Sequence, residues 1–200
     1  MRILGFNRLQ DRGRGVAADI AYLRRARQPG GRICGNHCTA RCARCGSTTC
    51  LCRCGPDCPD AAQALSSEPD RYPIEPAILP LVFALKRSRV FEPCWSCEGH
   101  SGADGSFWKA PMVWFYCRSM LYLRLLSDGV NRMKGLGGLR APWQVAVTYC
   151  DPGNPNTAFS LQPLISDCPD LSLPELQGDA REIARMLETV MDERARALIP

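Results

Sequence analysis

Residues 112–134, Met112-Val-Trp-Phe-Tyr-Cys117 running into Arg118-Ser-Met-Leu-Tyr-Leu-Arg-Leu-Leu-Ser-Asp-Gly-Val-Asn-Arg-Met-Lys134, decide the fold because the apolar period changes within them. Met112 to Cys117 is apolar on both faces, as a strand in mid-sheet must be. From Arg118 to Lys134, Leu121, Leu125, Val130 and Met133 fall near one helical stripe, and Gly135, Gly137 and Gly138 close the helix. Downstream, Trp143–Tyr149 alternates, with Trp143, Val145, Val147 and Tyr149 facing in. A turn, Asp151-Pro-Gly-Asn-Pro-Asn156, then leads to a paired strand at Thr157–Leu161. The last helix opens with a capping box, Ser172 as N-cap and Glu175 three residues on, and packs through Ile183, Met186, Leu187, Val190 and Met191.

Upstream, Ala77–Ser88 forms a helix with Ile78, Leu81, Val82 and Leu85 on one stripe; Pro80 is tolerated in its first turn. Val90–Pro93 reads as a brief strand. This order predicts an α+β domain over residues 76–200, a two-layer sandwich of a small, mostly antiparallel sheet with helices. It holds nearly all the large apolar side chains and is expected to fold without the segments before it.

Those segments differ in kind. Residues 1–32 form a basic arm with eight arginines against Asp11 and Asp19, so the remainder of this +5 chain is slightly acidic. Arg8–Arg27 reads as a short helix with Val16, Ala17, Ile20, Ala21 and Leu23 on one side; the alternative is a loosely ordered extension with solvated arginines. Such an arm can contact the phosphates of RNA or DNA. Residues 61–75, with Pro69 and Pro73 and no periodicity, read as a linker.

Between arm and linker, residues 33–60 carry eight of the thirteen cysteines: Cys34, Cys38, Cys42, Cys45, Cys50, Cys52, Cys54 and Cys58, with His37 among them. Apart from Leu51 the neighbours are small, polar or basic, so no apolar core folds this module. Bound Zn²⁺ can, since a structural site supplies roughly 10–16 kcal/mol. The alternating Cys50, Cys52 and Cys54 place three thiols on one side of an extended chain, which suits metals sharing bridging thiolates. A two-zinc site on all eight thiolates leads, and a three-zinc cluster recruiting His37 follows. Cys38-x3-Cys42-x2-Cys45 also has the ligand spacing of an iron-sulfur cluster in radical S-adenosylmethionine enzymes. A disulfide scaffold is the remaining alternative, with no secretory signal in its favour.

Hydrophobic residues make up 46% of the 200, enough for a core, and no run is long enough for a membrane span. The chain is expected to be cytoplasmic, in a reducing compartment, with no membrane partner.

Within the main domain, Cys94-Trp-Ser-Cys97-Glu98-Gly99-His100 is the compact polar element, followed by a Gly-rich loop. Three readings stay open. Cys94, Cys97 and His100 can ligate a metal, with Cys117 or Cys150 as fourth ligand. Cys97 can be a catalytic thiolate with His100 or Glu98 as proton partner. Or the stretch is a tight turn around Gly99 with small buried cysteines.

Ser96-Cys97-Glu98-Gly99-His100, then Val113-Trp114-Phe115 and a helix, resembles a set of small uncharacterised bacterial proteins with a Ser-Cys-x-Gly-His signature. It is also distantly similar to the Ser-Cys-Ser-Gly-Arg stretch of the wybutosine-synthesis tRNA methyltransferase family. The likeness covers about residues 90–130 and implies a role with S-adenosylmethionine or tRNA. His100 stands where that family has arginine, and Glu98 where it has its second serine.

Phe107, Trp108, Lys109, Trp114, Phe115, Tyr116 and Arg118 interleave rings with cations. Single-strand binders use such surfaces, although the same pattern suits a core strand. Cys168, Asp167 and Asp170 receive no role. The leading expectation is a zinc-binding protein that takes nucleic acid or a nucleotide-like ligand. The alternatives are an RNA- or nucleotide-modifying enzyme centred on Cys97, Glu98 and His100, a store or carrier of Zn²⁺ or Cu⁺, and an iron-sulfur protein. Walker, dinucleotide-fingerprint, zincin and nucleophile-elbow motifs are absent from the sequence.

Overall fold

The computed structural model describes residues 9–26, 58, 61–68, 70–103, 107–148, 157–167 and 170–198. Helices α1 (Leu9–Ala26), α2 (Ala61–Ala64) and α3 (Leu79–Arg87) lead to strand β1 (Phe91–Cys97). Next come β2 (His100–Ser101), β3 (Phe107–Lys109), β4 (Met112–Cys117), α4 (Met120–Gly135), β5 (Trp143–Val147), β6 (Ala158–Pro163) and α5 (Leu173–Leu198). One sheet runs β1-β4-β6-β5, every neighbour antiparallel, and β2 and β3 form a separate ribbon. The domain is therefore α+β with a small antiparallel sheet packed against helices.

Strand β4 is interior, between β1 and β6, as its two apolar faces demand. Val113 and Phe115 are buried in the core, with Phe115 edge-on to Phe91 at 5.0 Å and tilted against Phe159. Trp114 points to the other face of the sheet and meets Trp95 of β1 at 4.9 Å. The hairpin of β5 and β6 pairs Trp143 with Pro163 and Val147 with Phe159. Trp143 is buried, but Val147, expected to face in, is exposed near the end of β5, the sheet's outer strand.

Helix α4 begins at Met120, two residues later than its apolar period suggests. Ser119 is extended, and its Oγ accepts the Leu121 N–H at 3.2 Å, capping the helix. Its buried side is Tyr122, Leu123, Leu125, Leu126, Val130 and Met133, while Leu121 is only half-buried. At Gly129, α5 crosses so closely that a Cβ there would lie 2.9 Å from Val190 Cγ2. The return half of the α5 capping box forms: Glu175 Oε2 accepts from the Ser172 N–H at 3.0 Å and from its Oγ at 2.8 Å. Helix α5 packs against both α3 and α4, completing the helical layer.

Buried Asp179 of α5 ties that layer to the sheet. Its carboxylate accepts the N–H groups of Arg140 and Ala141, each at 2.8 Å, and the Trp143 Nε1–H at 3.2 Å. The loop from α4 into β5 is thus fixed by one carboxylate.

Helix α1 is not separate from this core. Ile20 and Leu23 are buried in the same apolar cluster as Leu81, Leu125 and Leu187. Asp19 accepts from Ser119 Oγ at 2.5 Å, and its carbonyl accepts the Tyr122 hydroxyl at 2.9 Å, so α1 docks at the start of α4. Burial, followed by the Asp19 charge, raises the Tyr122 pKa to about 12. The arm's apolar stripe is thus core, and the fold draws on residues well before 76. No helix among the described residues is long and apolar enough to cross a membrane.

Candidate metal centre and groove

The stretch 91–97, expected as a brief strand and then a turn, is one seven-residue strand with a bulge between Pro93 and Trp95. Pro93 is tolerated because β1 is an edge strand. The bulge leaves Cys94 exposed and lets Trp95 face Trp114. The reversal itself takes only Glu98 and Gly99. Gly99 is buried with φ +86°, and a Cβ there would lie 2.5 Å from Leu173 Cδ1 and 2.9 Å from the Lys109 carbonyl oxygen. Glycine is required both by the left-handed backbone and by that packing.

The tight reversal brings Cys97, on the last residue of β1, beside His100, on the first of β2. A third donor arrives from before α3: Glu75, whose carboxylate joins Cys97 Sγ and the His100 ring with all ligating atoms within 4.8 Å of one another. Cys97 is buried, and Glu75 and His100 are partly open. Glu75 Oε2 accepts the Glu98 N–H at 2.7 Å, leaving Oε1 toward His100 Nε2 at 3.5 Å. The His100 ring stacks on Trp108 at 5.4 Å and 20°.

These donors are one possible metal-binding triad. In a tetrahedral zinc site with bonds of about 2.0–2.3 Å, ligand atoms lie roughly 3.3–3.8 Å apart, so a contraction of about 1 Å would close this one. Oxygen, nitrogen and sulfur together form a donor set that zinc accepts.

Glu98 ties the turn to its neighbours. Its Oε2 accepts the Ala77 N–H at 2.8 Å, and its carbonyl accepts from Gln177 Nε2 at 3.0 Å. The residue clamps the turn to the segment just before α3 and to α5. Cys94 lies outside the triad. Cys117 pairs with Phe91, at the opposite end of β1 and β4 from Cys97, and so cannot be the fourth ligand. Burial raises its pKa, partly countered by a backbone hydrogen bond at Ser119. Cys58 is half-exposed just before α2. Cys34, His37, Cys38, Cys42, Cys45, Cys50, Cys52 and Cys54, with Cys150 and Cys168, lie outside the described residues.

The triad opens into a groove of about 1070 Å³ between residues 64–75 and β1. One wall carries Tyr72 with the Arg71 guanidinium 5.0 Å over its ring; the other carries Trp95 with the Lys109 ammonium at 4.7 Å. The proline-rich stretch read as a linker is therefore a wall of the groove, and it supplies the third donor of the triad, which sequence spacing missed. Ser66 holds it in shape: its Oγ donates to the Tyr72 carbonyl at 2.6 Å and accepts the Glu68 N–H at 3.1 Å. Only the cluster of Pro69, Pro73 and Pro76 around an otherwise aperiodic segment hinted at a fixed course.

Compared with known proteins, the chain matches no family model, no curated protein and no solved structure.

Proposed function

We propose that this is a zinc-binding protein in which Glu75, Cys97 and His100 hold one Zn²⁺ at the end of a groove that takes nucleic acid or a nucleotide-like ligand. The observation that carries this reading is the convergence of carboxylate, thiol and imidazole from two segments into one triad beside that groove. Three protein donors leave the fourth position to water or to a ligand atom, the arrangement of zinc sites that meet exogenous groups. The cysteine run from Cys34 to Cys58 holds further metal in this reading, as a two-zinc site first and a three-zinc or iron-sulfur cluster otherwise.

A second reading, an enzyme acting on RNA or a nucleotide, is favoured by that same open position. Zinc supplies Lewis-acid polarisation of a bound oxygen when present. Cys97 then serves as a metal ligand, and Glu98 stays a clamp.

Cobalt substitution tests the proposal. Titrating the metal-free full chain with Co²⁺, and subtracting the spectrum of Cys97→Ser, should leave the bands of one tetrahedral site with a single thiolate. Identical spectra for the two proteins would refute it.

A further inference from the structure

Aromatic residues recur along the groove, at Tyr72 and Trp95, and beside it, at Trp108 next to His100 and Lys109. Tyr72 and Trp108 are 58% and 64% exposed, far more than rings of a packed core. Tyr72 is paired with Arg71, and Lys109 sits over Trp95 at 4.7 Å and near Trp108 at 6.0 Å. Neither Arg71 nor Lys109 enters an ion pair among the described residues, so both keep charge for an outside anion. By contrast Lys86, on the same groove, is bonded to Glu92.

We infer that this surface binds single-stranded RNA or DNA, with unpaired bases stacked on Trp108 and Tyr72 and the phosphates taken by Lys109 and Arg71. An exposed ring accepts any base because every base has a π-face, and a cation beside the ring tracks the backbone. A duplex hides the faces of its bases and cannot use the rings. The inference rests on the zinc reading above and deepens it through His100. That imidazole stacks under Trp108, so a metal bound to it fixes the platform. The charge also changes: Glu68, Glu75 and Glu92 balance Arg71, Lys86 and Lys109 in the groove lining. Zn²⁺ held by the Glu75 carboxylate and the Cys97 thiolate cancels one of those negative charges and leaves the groove net positive. Metal loading therefore strengthens strand binding.

The test is fluorescence anisotropy with a short, mixed-sequence, fluorescein-labelled single strand on the full chain, with zinc measured on the same samples. Trp108→Ala and Tyr72→Ala should each weaken binding about 5- to 100-fold while zinc content stays unchanged. Lys109→Gln should lower the salt dependence by about one phosphate contact. Leu136→Ala, an exposed residue just past α4, should bind as the unaltered protein does. Equal binding by all four variants would overturn the inference and place any affinity elsewhere, as would duplex binding as tight as single-strand binding. A mononucleotide that binds as tightly as the strand would also overturn it. If Trp108→Ala weakens binding but His100→Ala loses no zinc, the stacking surface stands and the zinc reading falls. Retained zinc with no strand binding by the unaltered protein would overturn the stacking surface and leave the zinc reading standing.

Discussion

Glu75 and Glu98 brace each other's segments: the Glu75 carboxylate accepts the Glu98 N–H at 2.7 Å, and the Glu98 carboxylate accepts the N–H of Ala77 at 2.8 Å. A proline-rich segment and a strand-end turn, 23 residues apart at the Glu75–Glu98 bond, are locked together by two charge-assisted bonds. The lock places a carboxylate where sequence spacing puts none. Removing either acid should loosen the triad. Glu98→Ala should cost about 1 kcal/mol, the bond being partly solvent-exposed, and should weaken zinc binding, whereas Glu98→Gln keeps an acceptor and most of both. Urea unfolding and zinc competition measure the two effects. Equal zinc affinity in Glu98→Ala would show that the brace does not shape the site.

Gly99→Ala should be among the most damaging single changes. It combines a left-handed backbone at φ +86° with a Cβ 2.9 Å from the Lys109 carbonyl oxygen and 3.0 Å from the Pro111 nitrogen. Backbone atoms cannot rotate away, so a loss of about 2–4 kcal/mol is expected in denaturant unfolding. A loss below about 0.5 kcal/mol would show that the turn relaxes freely.

The helical layer and the sheet were legible because their periods are long and clean. Residues 112–134 change from two-faced apolar strand to helix where the structure does, within two residues. Two features were hidden for the same physical reason, namely that tertiary contact creates them. The strand β1 was cut short because Pro93, Cys94 and Ser96 carry little strand propensity, yet Pro93 and Ser96 pair with β4 on either side of the bulge at Cys94. Glu75 carried no signal, since a lone carboxylate among prolines comes beside Cys97 and His100 only when the Glu98 turn folds against it. The α1 stripe of Ile20 and Leu23 was visible, but that it enters the main core depends on Asp19 meeting Ser119.

That docking makes a further prediction. Leu23→Ala should destabilise the protein by about 2–4 kcal/mol, and a fragment of residues 76–200 should lose the cooperative unfolding of the full chain. Calorimetry on both decides it. A fragment as stable as the full chain would show that α1 adds nothing to the core.

Alkaline pH should weaken the same contact. The Tyr122 pKa is raised to about 12, so the hydroxyl stays protonated in the folded protein when it ionises in the unfolded chain. The stability tied to it is fully present below about pH 10 and is lost as pH climbs toward 12. Tyr122→Phe should flatten that fall in urea midpoints measured across the range; an unchanged slope would assign it to other groups.

Thiol chemistry should follow exposure. Cys94 is exposed and Cys97 only 2% so, and the latter lies in the proposed metal site. Iodoacetamide mapped by mass spectrometry should modify Cys94 first, and chelator should speed modification of Cys97. Rapid alkylation of Cys97 in metal-loaded protein would instead make it a free nucleophile.

The most direct test of the zinc site is elemental analysis of the full chain against Cys97→Ser, Glu75→Ala and His100→Ala, each checked for native helix content. Any metal on Cys34–Cys58 is common to all four proteins, so the difference isolates the triad. The account predicts that Cys97→Ser and His100→Ala each lose about one zinc per chain, and that Glu75→Ala loses it at low free zinc. Unchanged zinc in all three folded variants would contradict it.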